Sequence, residues 1–212
     1  MNGHFIYENL IISQHPNVDN VFNELIKNYK PNRILEIGTA DGGLTLMLRN
    51  ILDNNNLESN VIRTYDLNEQ KNLKLKNKNI EIITKNIFNY PYSDLDYPDE
   101  IKDFIQSEGR TLVLCDGGSK KNEFRLLSQF LKIGDIIMAH DYAPNEDYFN
   151  KNIKDKIWNW LEIQDSDINE SCLTYNLKPY MEDEFRLVVF GVIKDGLQDD
   201  NIWGFGIKRI RF

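Results

Sequence analysis

The chain has 212 residues, 41% of them hydrophobic, with 25 Lys and Arg against 33 Asp and Glu, a net charge of −8 and a pI near 5.0. This suits one domain over residues 1–212 with one substantial core, and the acidic balance argues against a nucleic-acid partner, leaving only Lys208, Arg209 and Arg211 as a locally basic strand end. Cys115 and Cys172 are too few for a disulfide framework, no stretch approaches the roughly 18 apolar residues of a membrane span, and Met1 to Ile12 is too polar for a secretory leader, so a cytoplasmic protein with no membrane partner is expected.

Residues 1–30 read as a lead-in followed by a helix. Val18, Val21, Phe22, Leu25, Ile26 and Tyr29 recur at helical spacing, with Asn17 to start the helix and Pro31 to stop it. RILEIGTADGG, residues 33–43, then reads as a buried strand running into a glycine loop. Gly38, Gly42 and Gly43 permit a tight turn and close approach to a ligand. Glu36 is a carboxylate near the end of a buried strand, where a cationic ligand would compensate its burial. The spacing G-x-x-x-G matches neither the G-x-G-x-x-G of dinucleotide sites nor the G-x-x-x-x-G-K-[ST] of triphosphate sites.

Leu44, Met47, Leu48, Ile51 and Leu52 mark a helix over about 43–52 whose N-terminus faces the ligand. Strand-like runs follow: VIRTYD ending at Asp66, IEIIT at 80–84, TLVLCD ending at Asp116 and DIIMAHD ending at Asp141. Phe124, Leu127 and Leu131 mark a helix that Gly134 terminates. Such alternation of strand and helix predicts a parallel α/β sheet with helices on both faces. FRLVVFGVI at 185–193 and IWGFGIKRI at 202–210 are joined by a linker too short for a crossover, so they form an antiparallel hairpin. Trp158, Trp160 and Leu161 read as part of a helix after Asp141. The stretch from 145 to 184 is long enough to act as a lid, a substrate region or a contact in a homo-oligomer.

Ligands of such sheets bind beyond the carboxyl ends of the strands. Asp66 can accept hydrogen bonds from both hydroxyls of a ribose, or simply cap a turn before Asn68. Asp116 and Asp141 end neighbouring strands. Either a hard cation such as Mg²⁺ sits between them, or one is protonated, or both are separately hydrated. His140 could ligate a metal, act as base or bond a backbone carbonyl.

The E-x-G-x-x-x-G pattern, Glu36 to Gly42, resembles the first motif of class I S-adenosylmethionine (SAM)-dependent methyltransferases. IISQHPNVDNVFNELIKNYKPNRILEIGTADGG resembles the family of cephalosporin hydroxylases and rhamnosyl O-methyltransferases. The resemblance implies a Rossmann-like three-layer sandwich with strand order 3-2-1-4-5-7-6, and a SAM site built from Glu36, Gly38, Thr39, Ala40, Asp41, Gly42, Gly43, Asp66, Leu67, Asn86, Ile87 and Asp116. Related metal-dependent O-methyltransferases place acidic ligands after the fourth and fifth strands, which here implies Mg²⁺ on Asp116, His140 and Asp141. His140 replaces one acidic ligand, Ser119 stands where some relatives have a histidine base, and Lys120 comes one residue later than the lysine of the caffeoyl type, which implies Lys120 as a base, an exposed lysine at a helix start being the alternative. The implied activity is methyl transfer to a hydroxyl of a small molecule, such as a sugar or polyhydroxylated metabolite. An oxidative tailoring component and a non-catalytic nucleoside-binding protein are the alternatives on the same fold.

Overall fold

The computed structural model describes residues 5–14, 18–72, 75–76, 78–89, 91–156, 159–179 and 207–209. A hairpin of β1 (Phe5–Tyr7) and β2 (Leu10–Ile12) precedes α1 (Val18–Tyr29). The central elements are β3 (Arg33–Ile37), α2 (Gly43–Asn54), β4 (Val61–Asp66), β5 (Ile80–Thr84), α3 (Pro98–Gln106), β6 (Thr111–Cys115), α4 (Lys120–Ser128) and β7 (Ile136–Ala139). β5, β4, β3, β6 and β7 lie side by side and pair in parallel. Read by the five expected strands, this is the order 3-2-1-4-5.

Period-two alternation puts successive residues of each strand on opposite faces of the sheet. Leu112 and Leu114 of β6 join Ile34, Ile62 and Met138 beneath α1 and α2. Val113 and Cys115 join Leu35, Ile37 and Ala139 beneath α3 and α4. Two apolar layers thus clamp one sheet, which is why β3, β6 and β7 carry almost no polar side chains and why Glu36 is conspicuous.

The far edge is built from the end of the chain. β11 (Ile207–Arg209) lies antiparallel to β7, and β10 (Leu177–Pro179) lies antiparallel to β11. The seventh expected strand therefore takes its expected place, and its outer neighbour among the described residues is β10, from a stretch anticipated as lid. The expected strand at 185–193 lies outside the described residues, as do His4, His15, Asn17 and Trp158.

Three other expectations change. Gly134 does not cap α4, which ends six residues earlier at Ser128. There the Phe130 and Leu131 amides turn back to the carbonyls of Leu127 and Ser128, and Gly134 (φ +86°) serves the turn into β7. Trp160 and Leu161 are not helical; Trp160 is exposed, and the helix of this region is α6 (Asp165–Tyr175), opened by a Gln164/Asp167 capping box. α3 was not anticipated. Its apolar face is only Ile101, Phe104 and Ile105, although Pro98 at its first turn with Asp99 and Glu100 behind it is a helix-start signal. Between β7 and α6 the chain forms β8 (Tyr142–Ala143), α5 (Glu146–Tyr148), a π-helical turn (Phe149–Ile153) and β9 (Ile163–Gln164), with β8 and β9 paired in parallel.

The buried Tyr29 hydroxyl lies 3.0 Å from the Thr111 carbonyl and 2.6 Å from that of Gly134, tying α1 to the starts of β6 and β7. Tyr29→Phe leaves these carbonyls short of a donor and is expected to lower the unfolding free energy by about 1–2 kcal/mol, read by urea denaturation.

Candidate functional site

A cavity of about 340 Å³ opens beyond the carboxyl ends of β3, β4, β5 and β6, lined in part by Gly38, Ala40, Asp66, Asn86, Phe88 and Ser119. Asp66 Oδ2 accepts from the Ala40 amide at 2.8 Å and Oδ1 from the Asn68 amide at 2.8 Å. The turn role anticipated for Asp66 is thus present, on the wall of a cavity. Asn86 Oδ1 accepts from the Phe88 amide at 3.1 Å, which sets Ile87 and Phe88 against the hollow. Leu67 also lines it and is largely exposed.

The glycine loop divides. Gly38 and Ala40 face this cavity, whereas Thr39 is buried with its hydroxyl 2.6 Å from that of Thr64. Asp41 lines a separate hollow with Phe5, Ile6, Ile11 and Ser13. Gly42 caps α2, and Gly43 begins it. Gly38 has φ +98°, and a Cβ there would lie 2.3 Å from the Asp116 carbonyl oxygen. Its lack of a side chain lets β3 and β6 end side by side, a requirement set by the protein's own backbone.

Glu36 is fully buried. Oε2 accepts from the Thr45 hydroxyl at 2.5 Å and Oε1 has no hydrogen-bond partner. Burial pushes its pKa up to about 8, against the hydrogen bond from Thr45. An acceptor held this way is suited to a cationic group.

A second cluster sits at the ends of β6 and β7. Asp116 Oδ1 lies 2.9 Å from His140 Nδ1; a carboxylate only accepts, so Nδ1 carries the proton. Asp116 Oδ2 accepts from Gln14 Nε2 at 3.0 Å. His140 Nε2 lies 3.4 Å from Asp141 Oδ1, a buried atom with no hydrogen-bond partner. Burial lowers the His140 pKa, but the Asp116 and Asp141 charges outweigh it and the net shift is upward. Asp141 is held at φ +56°, a left-handed conformation that aspartate tolerates better than most residues, and burial raises its pKa despite His140 and Lys120.

Lys120, buried at the first position of α4, points its ammonium into this cluster. Nζ lies 2.7 Å from Glu162 Oε2, 3.0 Å from the Gly117 carbonyl, 3.3 Å from Asp141 Oδ2 and 3.9 Å from Asp116 Oδ1. Burial lowers its pKa, but Asp116, Asp141 and Glu162 more than reverse this and hold it protonated. That opposes the role of base anticipated for it. The metal set fares no better: Asp116, His140 and Asp141 do come together, but His140 is bonded to Asp116, and an ammonium sits against both aspartates. Among the described residues no group of three or more His, Cys, Asp or Glu is arranged to hold a metal ion. The donor set does not fit Mg²⁺.

Three site residues escaped the sequence. Gln14 lies just past β2 and reaches Asp116 from there. Glu162 is placed because its amide donates to the Asp141 carbonyl at 3.1 Å, where β8 meets β9. Buried Glu123 accepts from the Ser119 amide at 3.0 Å and the Gly117 amide at 3.1 Å, fixing the loop between β6 and α4; burial raises its pKa to about 7. An acidic residue in the first turn of α4 was a readable signal for Glu123 alone.

Because Glu36 has a folded pKa near 8 against an ordinary 4.5, the folded protein holds its proton more tightly than the unfolded chain. Its contribution to stability is full below pH 4.5 and is lost as pH rises through 8. Glu36→Gln should therefore gain thermal stability relative to wild type across that interval, read by paired melting curves at stepped pH.

No protein-family profile and no curated protein matches the chain. Solved structures do. CmcI with Mg and SAM is 12% identical, aligned over 98% of this chain and 77% of that one with a TM-score of 0.62; the CmcI apo-structure gives 0.63 at the same identity and coverage. An O-methyltransferase family protein from Burkholderia thailandensis is 9% identical over 91% of this chain and 55% of that one, with a TM-score of 0.50. Together with the parallel order of β5, β4, β3, β6 and β7, these likenesses show that the chain has the Rossmann-like fold of class I methyltransferases.

Proposed function

We propose that this protein is a SAM-dependent O-methyltransferase of one domain, acting on a hydroxyl of a small molecule such as a sugar or polyhydroxylated metabolite. The observation that carries this reading is the cavity walled by Asp66 and Asn86 at the end of β3, the strand that carries a buried Glu36 whose Oε1 has no hydrogen-bond partner. A nucleoside with a cationic amino-acid tail and no phosphate matches that set of groups. CmcI, one of the similar structures, is described with Mg and SAM. The free thiols of Cys115 and Cys172 suit a cytoplasmic setting, and no helix among the described residues is long and apolar enough to cross a membrane.

In this reading Asp66 accepts from the ribose hydroxyls, Asn86, Ile87 and Phe88 meet the adenine, and Glu36 receives the ammonium of the methionine tail. SAM supplies an already activated sulfonium methyl. The protein's task is then to align the acceptor oxygen and take its proton. As the acceptor's O–CH₃ bond forms, the S–CH₃ bond breaks to leave the thioether, and the hydroxyl proton passes to His140 Nε2. Asp116, on Nδ1, fixes the ring and its tautomer and favours the protonated form that results. Lys120, held charged, cannot serve as that base.

Calorimetric titration with SAM tests the reading. At pH 7 Glu36 is protonated in the free protein; pairing with an ammonium ionises it, so binding should release a proton and tighten as pH rises toward 8. The release is measured as the dependence of the binding heat on buffer ionisation enthalpy, and Glu36→Gln should abolish it. Asp66→Ala should weaken SAM by about tenfold or more. Absence of binding to SAM and to S-adenosylhomocysteine at millimolar concentration would overturn the assignment.

A further inference from the structure

The cluster at the ends of β6 and β7 contains more charge than the proposed proton transfer uses. Asp116, Asp141 and Glu162 converge from three separate parts of the chain, and a cation already stands among them. Lys120 Nζ makes short contacts with Glu162 and the Gly117 carbonyl and lies 3.3 Å from Asp141 and 3.9 Å from Asp116. Its location runs against local preference, because a cation in the first turn of a helix opposes the helix dipole and a buried ammonium loses its hydration. Convergent carboxylates offset both. The residues that would bind a divalent ion are the same ones that Lys120 neutralises, and an ion about 2.1 Å from Asp116 and Asp141 oxygens would crowd that ammonium.

We propose that Lys120 is a built-in counter-ion that takes the position of the divalent cation expected after the fourth and fifth strands, so that this site works without a metal. Lys120 is thus a positioning residue. It lies between Asp116 and Asp141 and offsets their charge beside His140, and its link to Glu162 ties the segment before β9 to the strand ends. Without a metal to chelate two oxygens, the acceptor need present only one hydroxyl at His140. This last consequence rests on the methyl-transfer reading; the charge substitution itself does not.

The test is titration of the full-length protein with Mn²⁺, a paramagnetic ion suited to carboxylate oxygens, followed by electron paramagnetic resonance. Wild type is expected to show no site for Mn²⁺ at this cluster. Lys120→Met, which keeps the length of the side chain and removes its charge, should gain one, with affinity at least about tenfold above wild type. Lys120→Gln gives a polar alternative should the first variant not fold, and Lys120→Arg should behave as wild type. Asp116→Asn with Asp141→Asn, added to either charge-removing variant, should abolish the gained site. Tight Mn²⁺ binding by wild type that Asp141→Asn removes would overturn the proposal, and so would failure of both folded charge-removing variants to gain binding. A SAM titration on the same samples in chelator separates the outcomes: loss of SAM binding by wild type would count against the methyltransferase reading and leave the Mn²⁺ result standing.

Discussion

The parallel pairing of β3 with β6 is the constraint on which the rest depends. Five residue pairs, from Arg33 with Thr111 to Ile37 with Cys115, run in strict register, and both strands then end at the same level. Gly38 and Asp116 meet there with no room for a Cβ between them, and the Asp116 amide donates to the Ile37 carbonyl at 3.0 Å. Any side chain at position 38 would push the strand ends apart. The cavity wall, the glycine loop and the charged cluster all hang from this junction, so a change of a single methyl group there reaches each of them.

Two regions of unlike electrostatics share that edge. Around Glu36 the carboxyl is isolated, capped by one hydroxyl and pushed toward neutrality by burial. Around Asp116 the carboxylates are crowded, and Lys120 neutralises them in place while His140 bonds to Asp116. Burial acts on both sets of groups, but only the second has an ammonium within ion-pair distance. The aspartates at β6 and β7 are thus already matched by a cation, whereas Glu36 Oε1 has no hydrogen-bond partner.

The central sheet was legible because its strands are buried on both faces and its helices on one, which writes period-two and period-3.6 patterns into the sequence. The ends of α4 and the structure of 145–179 were less so. Gly134 looked like a helix stop, yet the helix unwound earlier through tight turns; Trp160 looked helical, yet the helix formed where Gln164 and Asp167 could cap it. α3 was hidden because a surface helix needs only three apolar residues to dock.

The sequence by itself determined the α/β alternation, the glycine loop after β3 and the acidic residues Asp66, Asp116 and Asp141 at strand ends, because each is a local pattern whose meaning does not depend on distant chain. Only the tertiary structure decided that Lys120 is buried among carboxylates, that Gln14 and Glu162 reach the same cluster, and that Asp41 turns away from the cavity. Those outcomes depend on which segments the sheet order brings together: Gln14 meets Asp116 across 102 positions and Lys120 meets Glu162 across 42, and no periodicity records a contact made at that separation.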